Sequence, residues 1–519
     1  MSANTAKFSS DYSAASSFYR SLWIKDPFNL DYAVDALIFS VASGQVKEAI
    51  AIANRALENR LDSPLFGLVL IIDNFKERKL GEVKVLLNRH KEDLPNVAFW
   101  IFSGWANSEL GLSQPPPEFE KIGEGAKKIG LNRYNQALYA AYNGDWSSAS
   151  SFLKDGGHLL ATLNRDILFT QANILYYSGD KREALALLQK GIGLKNIQEF
   201  PILEKIKDFG LDKTISINSE EHLDFAISQT LIMLNSSDSD GVSLGSTFYY
   251  QLANYINNEN NFTKLSLAPI LFELGQYSVA KNLLRSVGIK DKSYVEAQIQ
   301  LAEGLAELGD ISEAISILRD IENQSKNNFF SHTSLGDLFR SEKKFLSALQ
   351  EYSSALNFTE GSENETIWVT YFFRGICFQE IGEWDNARKD YLKALELSPG
   401  QPEVLNYLGY SLIERKEKLS QALGMIEKAI ERNPQSGYIV DSLAWGLFKL
   451  GRYEEALLPM KKAYELLPFD PIINDHMGDI LWNNGKRRSA KLYWKRSLSF
   501  NPEEEEVSKI KKKIKFGMD

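Results

Sequence analysis

One segment of the chain has the spacing of a catalytic nucleophile. Residues 241–245 read GVSLG, which fits the G-x-S-x-G pattern around Ser243. That pattern works on a strained strand-to-helix turn, with an acid and a histidine later in the chain. Here the polar run SDSD precedes it in place of a predicted strand, and no alternation of strands and helices surrounds it. We interpret the segment as a polar loop that opens a helix, with a hydrolase-like site in this region as the alternative.

The histidines and the cysteine do not form a metal or redox motif. None of the five histidines has a metal-ligating partner at helical spacing, and the HExxH pattern is absent. His476 directly follows Asp475, but adjacent residues on a helix face different directions. The single cysteine, Cys377, excludes an intrachain disulfide, a cysteine-based zinc site and an iron–sulfur cluster. The sequence therefore predicts no catalytic residue, no metal and no cofactor.

Composition and charge narrow the class of partner. The 519 residues are 44% hydrophobic and 24% charged, which is typical of a chain with a packed core. The formal net charge of −9 provides no positive field for phosphate backbones, so no nucleic-acid partner is expected. The longest apolar run, residues 66–72, is much shorter than the ~20 residues that span a bilayer, so no integral membrane segment is predicted. The first residues lack the pattern of a signal peptide, which indicates a cytoplasmic location for the sequence as given.

Small residues and prolines recur every 34 or 35 residues in the C-terminal third. Four prolines are spaced 35, 34 and 34 residues apart: Pro399, Pro434, Pro468 and Pro502. Four alanines keep the same spacing: Ala387, Ala422, Ala456 and Ala490. Each unit contains two apolar runs at helical spacing, separated by a short turn. The alanine lets the second helix approach the first, and the proline follows the second helix because it cannot continue one.

The same spacing extends towards the N-terminus, apart from an interval of 39 residues between Ala348 and Ala387. The upstream members of the series are Ala348, Ala314, Ala280, Ala184, Ala149, Val83, Ala49 and Ala15. Ala15 and Ala490 are 475 residues apart, which is close to fourteen periods of 34. Helix pairs that stack in this way bury faces that one pair cannot bury alone. The chain is therefore predicted to be one solenoid rather than three separate globular domains.

Two longer intervals interrupt the series and suggest a division of the chain. Val83 and Ala149 are 66 residues apart, which leaves room for one unit whose second helix would start near Pro115–Pro117. Ala184 and Ala280 are 96 residues apart, and this interval contains Pro/Gly-interrupted and Ser/Asp-rich stretches. We predict a divergent N-terminal array at 1–190 and an irregular helical segment at 191–260 that acts as a hinge. Helices are expected there near 221–235 and 246–257, followed by a C-terminal array at 261–503 and a capping helix at 504–519.

The repeated motifs resemble those of the tetratricopeptide repeat (TPR) family. LNYLGYSL, residues 405–412, resembles the first helix of that repeat through Leu408 and Gly409. GRYEEALLPMKKAYELLP, residues 451–468, resembles the second. Two departures stand out, since Arg374 replaces the expected leucine and the repeat around Glu417 has one extra residue. The resemblance implies an all-α, right-handed solenoid of antiparallel helix pairs, the TPR superhelix.

The C-terminal third has a narrower resemblance. Its last repeats, from VLNYLGYSLIER to PIINDHMGDILWNNGKRRSA, resemble the final repeats of proteobacterial envelope TPR proteins. Some of these proteins are lipid-anchored adaptors for a carboxyl-terminal processing protease in the periplasm. They begin with a signal peptide, which this sequence does not show. If the N-terminus is truncated, the resemblance implies a periplasmic or outer-membrane-associated location and a role in protein turnover or assembly at the cell envelope.

The TPR resemblance also implies a binding groove. Positions 2, 5, 9 and 12 of each first helix line the concave face in that family. In the last three repeats these positions include Asn406, Tyr410, Tyr438, Asp441, Trp445, Phe448, Asp475, Asp479 and Trp482. Exposed aromatic residues are frequent hot spots of binding, and aspartates favour a ligand with Lys or Arg. The resemblance therefore implies a non-catalytic scaffold or adaptor that binds an extended segment or helix of basic and apolar character.

Three alternatives to that interpretation remain open. Later helices or the C-terminal tail of the chain itself could fill the groove. The chain could be a structural protein whose partners are its own copies, as a homo-oligomer. The third alternative is the hydrolase-like enzyme site in the irregular central segment.

Overall fold

The computed structural model describes most of the chain. The described residues are 11–108, 114–123, 126–156, 165–192, 221–235, 244–291, 293–324, 329–358 and 367–518. Within these ranges every regular element is a helix, which confirms the predicted all-α class of antiparallel helix pairs. None of the described helices is both long enough and apolar enough to cross a membrane. Ser243 of the GVSLG motif lies outside the described residues.

The chain divides into two compact units, Met1–Ser334 and Leu335–Asp519. The described helices of the first unit are α1 (Tyr12–Lys25), α2 (Leu30–Ala42), α3 (Val46–Glu58), α4 (Pro64–Lys76), α5 (Leu80–Arg89), α6 (Asn96–Asn107), a 3₁₀ helix (Pro117–Ile122), α7 (Ala126–Tyr142), α8 (Trp146–Asp155), α9 (Arg165–Tyr177), α10 (Lys181–Ile192), α11 (Glu221–Asn235), α12 (Leu244–Ile256), α13 (Asn261–Glu273), α14 (Tyr277–Arg285), α15 (Tyr294–Glu307) and α16 (Ile311–Gln324). The boundary between the units falls within α17 (Phe329–Ser341).

The helices of the second unit form successive pairs. They are α18 (Phe345–Asn357), α19 (Ile367–Glu380), α20 (Trp384–Leu397), α21 (Pro402–Glu414), α22 (Leu419–Arg432), α23 (Gly437–Lys449), α24 (Tyr453–Leu466), α25 (Pro471–Asn483), α26 (Arg487–Ser499) and α27 (Glu504–Phe516). Each first helix packs on the second helix that follows it, as in α21 with α22 and α23 with α24. The C-terminal helix α27 packs on α26.

The residues that recur at the repeat spacing are all completely buried. Every member of the series is 0% exposed: Ala15, Ala49, Val83, Ala149, Ala184, Ala280, Ala314, Ala348, Ala387, Ala422, Ala456 and Ala490. A small side chain at this position lets the axes of the paired helices come close. The series therefore marks a buried packing position in helices of both units.

The turns inside the last four helix pairs use left-handed backbone. Gly382, Gly451 and Gly485, each five residues before an alanine of the series, have φ angles of +83°, +75° and +78°. The repeat with the extra residue uses two non-glycine residues instead, Lys416 at +57° and Lys418 at +44°. Left-handed backbone costs a non-glycine residue roughly 1–2 kcal/mol. The longer turn around Glu417 is therefore built at some cost in backbone energy.

One helix pair covers the first helices of the N-terminal unit. The predicted helices near 221–235 and 246–257 are present as α11 and α12, and this pair packs on α2, α4 and α6. Arg78 donates to both carboxylate oxygens of Asp224, at 2.7 and 3.0 Å. Tyr255 Oη donates to Asp73 Oδ1 at 2.8 Å, and Lys76 Nζ donates to the Tyr255 carbonyl oxygen. These contacts join residues more than 140 positions apart and place α11 and α12 inside the first compact unit.

Candidate functional site

The first helices of the last three pairs carry the predicted groove residues. Helix α21 packs on α23, and α23 packs on α25. We call the shared face the inner surface, defined by Asn406, Tyr410, Tyr438, Asp441, Trp445, Phe448, Asp475, Asp479 and Trp482. Asp470 caps α25 by accepting from the backbone N–H groups of Ile472 and Ile473, both at 2.9 Å. Residues three or four positions apart on each helix then project from the same side.

Trp445 lies at the centre of the inner surface and is held by its neighbours. Its ring stacks with Phe448 at a centroid distance of 4.8 Å and with His476 at 3.9 Å. The indole Nε1 donates to Glu414 Oε1 at 3.0 Å, and Lys449 Nζ lies 5.0 Å from the centre of the ring. Trp445 remains half-buried. A ring already held in one orientation loses little entropy when a ligand packs on it.

Two tyrosines belong to the inner surface, and one of them, Tyr410, is hydrogen-bonded to Trp445. Tyr438 is 59% exposed, and its hydroxyl donates to Asp470 Oδ2 at 3.3 Å. Tyr410 is half-buried, and burial together with the charges of Glu414 and Asp441 raises the pKa of its phenol. The phenol of Tyr410 therefore stays protonated at neutral pH and can donate a hydrogen bond.

A histidine joins two of the first helices. His476 Nδ1 on α25 lies 3.0 Å from both carboxylate oxygens of Asp441 on α23. Burial opposes protonation of His476, but the nearby charges of Asp441, Asp475 and Asp479 outweigh it and raise the pKa. A protonated imidazole stacked on Trp445 also gains from the negative face of the indole.

The aspartates at the far end of the inner surface already have a cationic partner. Lys513 Nζ on α27 donates to Asp475 Oδ2 and to Asp479 Oδ2, both at 2.7 Å. The side chains are 20%, 12% and 3% exposed for Lys513, Asp475 and Asp479. Burial and then the charge of Asp475 raise the pKa of Asp479, whereas Lys513 acts against that rise. Asp475 Oδ1 is buried and has no hydrogen-bond partner among the described residues.

Trp482 is covered by the end of the chain. Its Nε1 donates to the carbonyl oxygen of Met518 at 3.1 Å. Gly517 has φ +85°, and a Cβ at this residue would lie 2.1 Å from Cζ2 of Trp482. The ring of Trp482 also packs against Trp494 at 5.4 Å. The backbone of residues 517–518 therefore lies directly on this ring.

The structure corrects one expectation about the groove. The sequence predicts aspartates open to a partner's Lys or Arg, but Asp475 and Asp479 hold a lysine of the same chain. Trp482 is likewise covered by the C-terminal tail. The reason is that α27 turns back on the last pair, so its lysine reaches α25. Asn406 has its Oδ1 buried without a hydrogen-bond partner among the described residues.

Three residues of the site are not predicted from the sequence. The adjacent Asp475 cannot pair with His476, and the actual partner of this histidine is Asp441, 35 positions earlier. Glu414 follows the last predicted position of α21 and holds the indole of Trp445. Lys513 belongs to a lysine run typical of a solvated helix end, and Lys511, Lys512 and Lys515 are indeed exposed. The repeat length itself could have signalled the His476–Asp441 pair, because positions about 34 apart are neighbours in adjacent repeats.

Comparisons with known proteins support the repeat assignment. The sequence profile described as "Tetratricopeptide repeat" matches residues 335–500. The TPR repeat-containing protein PA4667 of Pseudomonas aeruginosa is 34% identical over 107 residues, which cover 20% of this chain and 18% of that protein. The profile and this relative each match only part of the chain.

Two further relatives are, by their names, a lipoprotein and a transferase. The Lipoprotein NlpI homolog of Haemophilus influenzae is 35% identical over 111 residues, 21% of this chain and 34% of that protein. Human Protein O-mannosyl-transferase TMTC1 is 23% identical over 196 residues, 38% of this chain and 22% of that protein. The chain thus spans between 18% and 34% of the length of these curated relatives. The helix pairs, their 34-residue spacing and the matched profile establish that residues 335–500 form a tetratricopeptide repeat array.

Proposed function

We propose that the chain is a non-catalytic scaffold or adaptor that binds a segment of a partner protein on the inner surface of its C-terminal unit. The observation that carries this proposal is the arrangement around Trp445. A half-buried indole stacks with Phe448 and His476 and donates to the carboxylate of Glu414, and the exposed Tyr438 lies two turns earlier on the same helix. Oriented aromatic rings with acidic neighbours suit a ligand that presents apolar and basic side chains.

The N-terminal unit supports the choice of the C-terminal surface. There the first helices α2, α4 and α6 are covered by α11 and α12 of the same chain. In the C-terminal unit Tyr438 on the inner surface is 59% exposed. The inner surface of the C-terminal unit is therefore the first-helix face on which we expect a partner to bind.

A selection of peptides tests this function even while the partner is unidentified. We expect a random peptide display library to yield binders of the intact chain enriched in basic and apolar residues. The double variant Tyr410→Ala/Trp445→Ala should lose these binders, because it removes the aromatic centre of the surface. Leu458→Ala is the matched control, since Leu458 on the second helix α24 is 78% exposed. Binders that survive the double variant but are lost with Leu458→Ala would contradict the proposal.

The compartment is a separate part of the proposal. We propose a role in protein turnover or assembly at the cell envelope, supported by the 35% identity to a lipoprotein homologue over 111 residues. Fractionation of the cells that produce the protein, followed by immunoblotting, tests this role. Recovery with the periplasm or outer membrane is expected, and recovery only with the cytoplasm would exclude an envelope role.

The other two hypotheses have direct tests of their own. The enzyme hypothesis is still worth testing because one relative, human Protein O-mannosyl-transferase TMTC1, is a transferase by name. Its match covers 22% of that protein. Hydrolase activity lost on Ser243→Ala would support a catalytic site in the central segment. A molar mass that rises with concentration, measured by light scattering, would support the self-assembling structural protein.

A further inference from the structure

We propose that residues 504–518 are an internal ligand of the inner surface, and that the partner is a basic amphipathic helix that replaces them. This inference rests on the proposed function, because it names the ligand class of the same surface. The first step is the placement of Lys513. Its ammonium group lies 2.7 Å from an oxygen of Asp475 and 2.7 Å from an oxygen of Asp479, so it occupies a site made by two carboxylates.

The second step is that Lys513 makes this contact and the neighbouring lysines of α27 do not. Four lysines lie within five residues, yet only Lys513 is drawn towards α25, whereas Lys511, Lys512 and Lys515 remain exposed. Ile510, one turn before Lys513, is 1% exposed, and Ile514 packs on the core of the unit. The face of α27 towards the last pair thus combines one buried isoleucine with one buried ammonium group.

The third step is how lightly the helix is held. Ile510 is the one fully buried residue within Glu504–Phe516, and the charged residues of its first turn face solvent. Beyond the helix, Met518 accepts a single hydrogen bond from Trp482. By comparison, the neighbouring second helix α26 buries Ala490, Trp494 and Ser497. A helix with so few buried side chains can be exchanged for a better ligand without unfolding the repeats beneath it.

The fourth step is the unbalanced charge of the site. Asp441, Asp475 and Asp479 face Lys513 and His476, so full protonation of the histidine still leaves one excess negative charge. Asp475 Oδ1 is buried and has no hydrogen-bond partner among the described residues. A partner helix with a second cationic or hydrogen-bond-donating side chain would therefore bind better than α27 does. The expected ligand has a lysine or arginine at position i with apolar residues at i−3 and i+1.

A labelled copy of the chain's own tail is the probe. A fluorescent peptide with the sequence of residues 502–519 is titrated against the full-length chain and three variants, with fluorescence anisotropy as the readout. Lys513→Glu places a negative charge against Asp475 and Asp479 and should release the internal helix. We expect the peptide to bind this variant at least tenfold more tightly than the unmodified chain. Lys512→Glu makes the same charge change at an exposed neighbour and should bind like the unmodified chain.

The third variant shows which surface the peptide uses. Lys513→Glu combined with Asp475→Asn and Asp479→Asn removes the two carboxylates and should lose the binding gained with Lys513→Glu alone. Hydrogen exchange of residues 504–516 reports release of the internal helix, and circular dichroism verifies that the repeats stay helical. If Lys513→Glu loses helicity in the repeats, Lys513→Met replaces it, because methionine keeps the apolar stem and removes the charge.

Each outcome bears on the proposal. Binding that requires both release of the tail and the two aspartates supports it. An unreleased tail, a released tail without peptide binding, or equal binding to all variants overturns it, and α27 is then only a cap on the last pair. Such a failure does not remove the proposed function if library peptides still bind the intact chain through Tyr410 and Trp445. Loss of library binding alone would instead remove the proposed function.

Discussion

Gly478 has no room for a side chain. A Cβ at this position on α25 would lie 2.4 Å from Cδ1 and 2.4 Å from Nε1 of Trp494. Trp494 cannot move away easily, because its Nε1 donates to Asp479 Oδ1 at 2.8 Å. We expect Gly478→Ala to lower the free energy of unfolding by about 1–3 kcal/mol, as overpacking of a core does.

The control for Gly478→Ala is a glycine with open space around it. A Cβ added to Gly424 in α22 would meet no heavy atom within 4 Å. Gly424→Ala should leave stability unchanged or raise it by up to about 1 kcal/mol, because alanine favours a helix. Urea unfolding followed by tryptophan fluorescence compares the two variants. Equal stability for both would show that the contact with Trp494 relaxes without cost.

His476 predicts a dependence of stability on pH. Its pKa is raised in the folded chain, because Asp441, Asp475 and Asp479 together outweigh the cost of burial. A histidine whose pKa is raised on folding stabilises fully below its unfolded pKa of about 6.5. This contribution is lost as the pH rises through the folded pKa. We therefore expect His476→Gln to cost most stability near pH 5.5 and progressively less towards pH 8.5.

Two measurements check the titration of His476. Urea unfolding of the unmodified chain and of His476→Gln across that pH range gives the difference in unfolding free energy. NMR of the imidazole protons gives the pKa directly, with the signal assigned by its loss in His476→Gln. A pKa at or below 6.5, or a difference in stability that does not change with pH, would contradict the role assigned to Asp441.

Helices α19 and α20 show how a departure from the repeat pattern is accommodated. Arg374 stands where the TPR pattern has leucine, and it donates to both carboxylate oxygens of Asp390 on α20, at 2.7 and 2.9 Å. It also donates to Ser353 Oγ on α18 at 3.2 Å. Because Asp390 is 8% exposed, the helix pair has exchanged an apolar contact for a largely buried ion pair. A single sequence reveals Arg374 as unusual, but not the aspartate that balances it.

We therefore expect Arg374→Leu to destabilise the chain, although it restores the leucine of the TPR pattern. It should lower the free energy of unfolding by about 3 kcal/mol, because it leaves a buried carboxylate without a partner. The double variant Arg374→Leu/Asp390→Leu should recover most of that loss. Lys389→Leu, at a position of the same helix that faces away from Arg374, is the control and should have little effect. Thermal unfolding of the three variants tests this, and a double variant no more stable than Arg374→Leu alone would argue against the pair.

At the scale of the whole chain, the N-terminal unit is closed on itself by contacts between distant residues. Arg78 and Asp224 are 146 positions apart and form a two-bond ion pair between the turn after α4 and helix α11. Arg78→Glu should loosen α11, so that its amide hydrogens exchange about five- to tenfold faster. The charge swap Arg78→Glu/Asp224→Arg should restore the slow exchange. If α11 exchanges equally in all three proteins, the ion pair does not hold this helix in place.

The division of the chain into an N-terminal array, a hinge at 191–260, a C-terminal array and a cap stays a prediction. The compact units Met1–Ser334 and Leu335–Asp519 divide the chain at a different place. The bounds expected for α11 and α12 lie close to their actual bounds, but the first helices on which they pack are not predicted. The spacing of apolar residues predicts where a helix begins and ends, but it does not predict which distant helix packs against it.

The helix pairs, their spacing and the turns inside them can be predicted from the sequence. Eleven alanines and one valine recur through the repeats, and each of those twelve positions is completely buried. These features depend on contacts within one helix pair, between residues that are close together in the sequence. The pairing of charged side chains, in contrast, depends on how the helices pack. Lys513 reaches Asp475 and Asp479 because α27 turns back on the last pair, and His476 reaches Asp441 because adjacent repeats align. Such pairings depend on the direction of whole helices, which no local pattern of residues encodes.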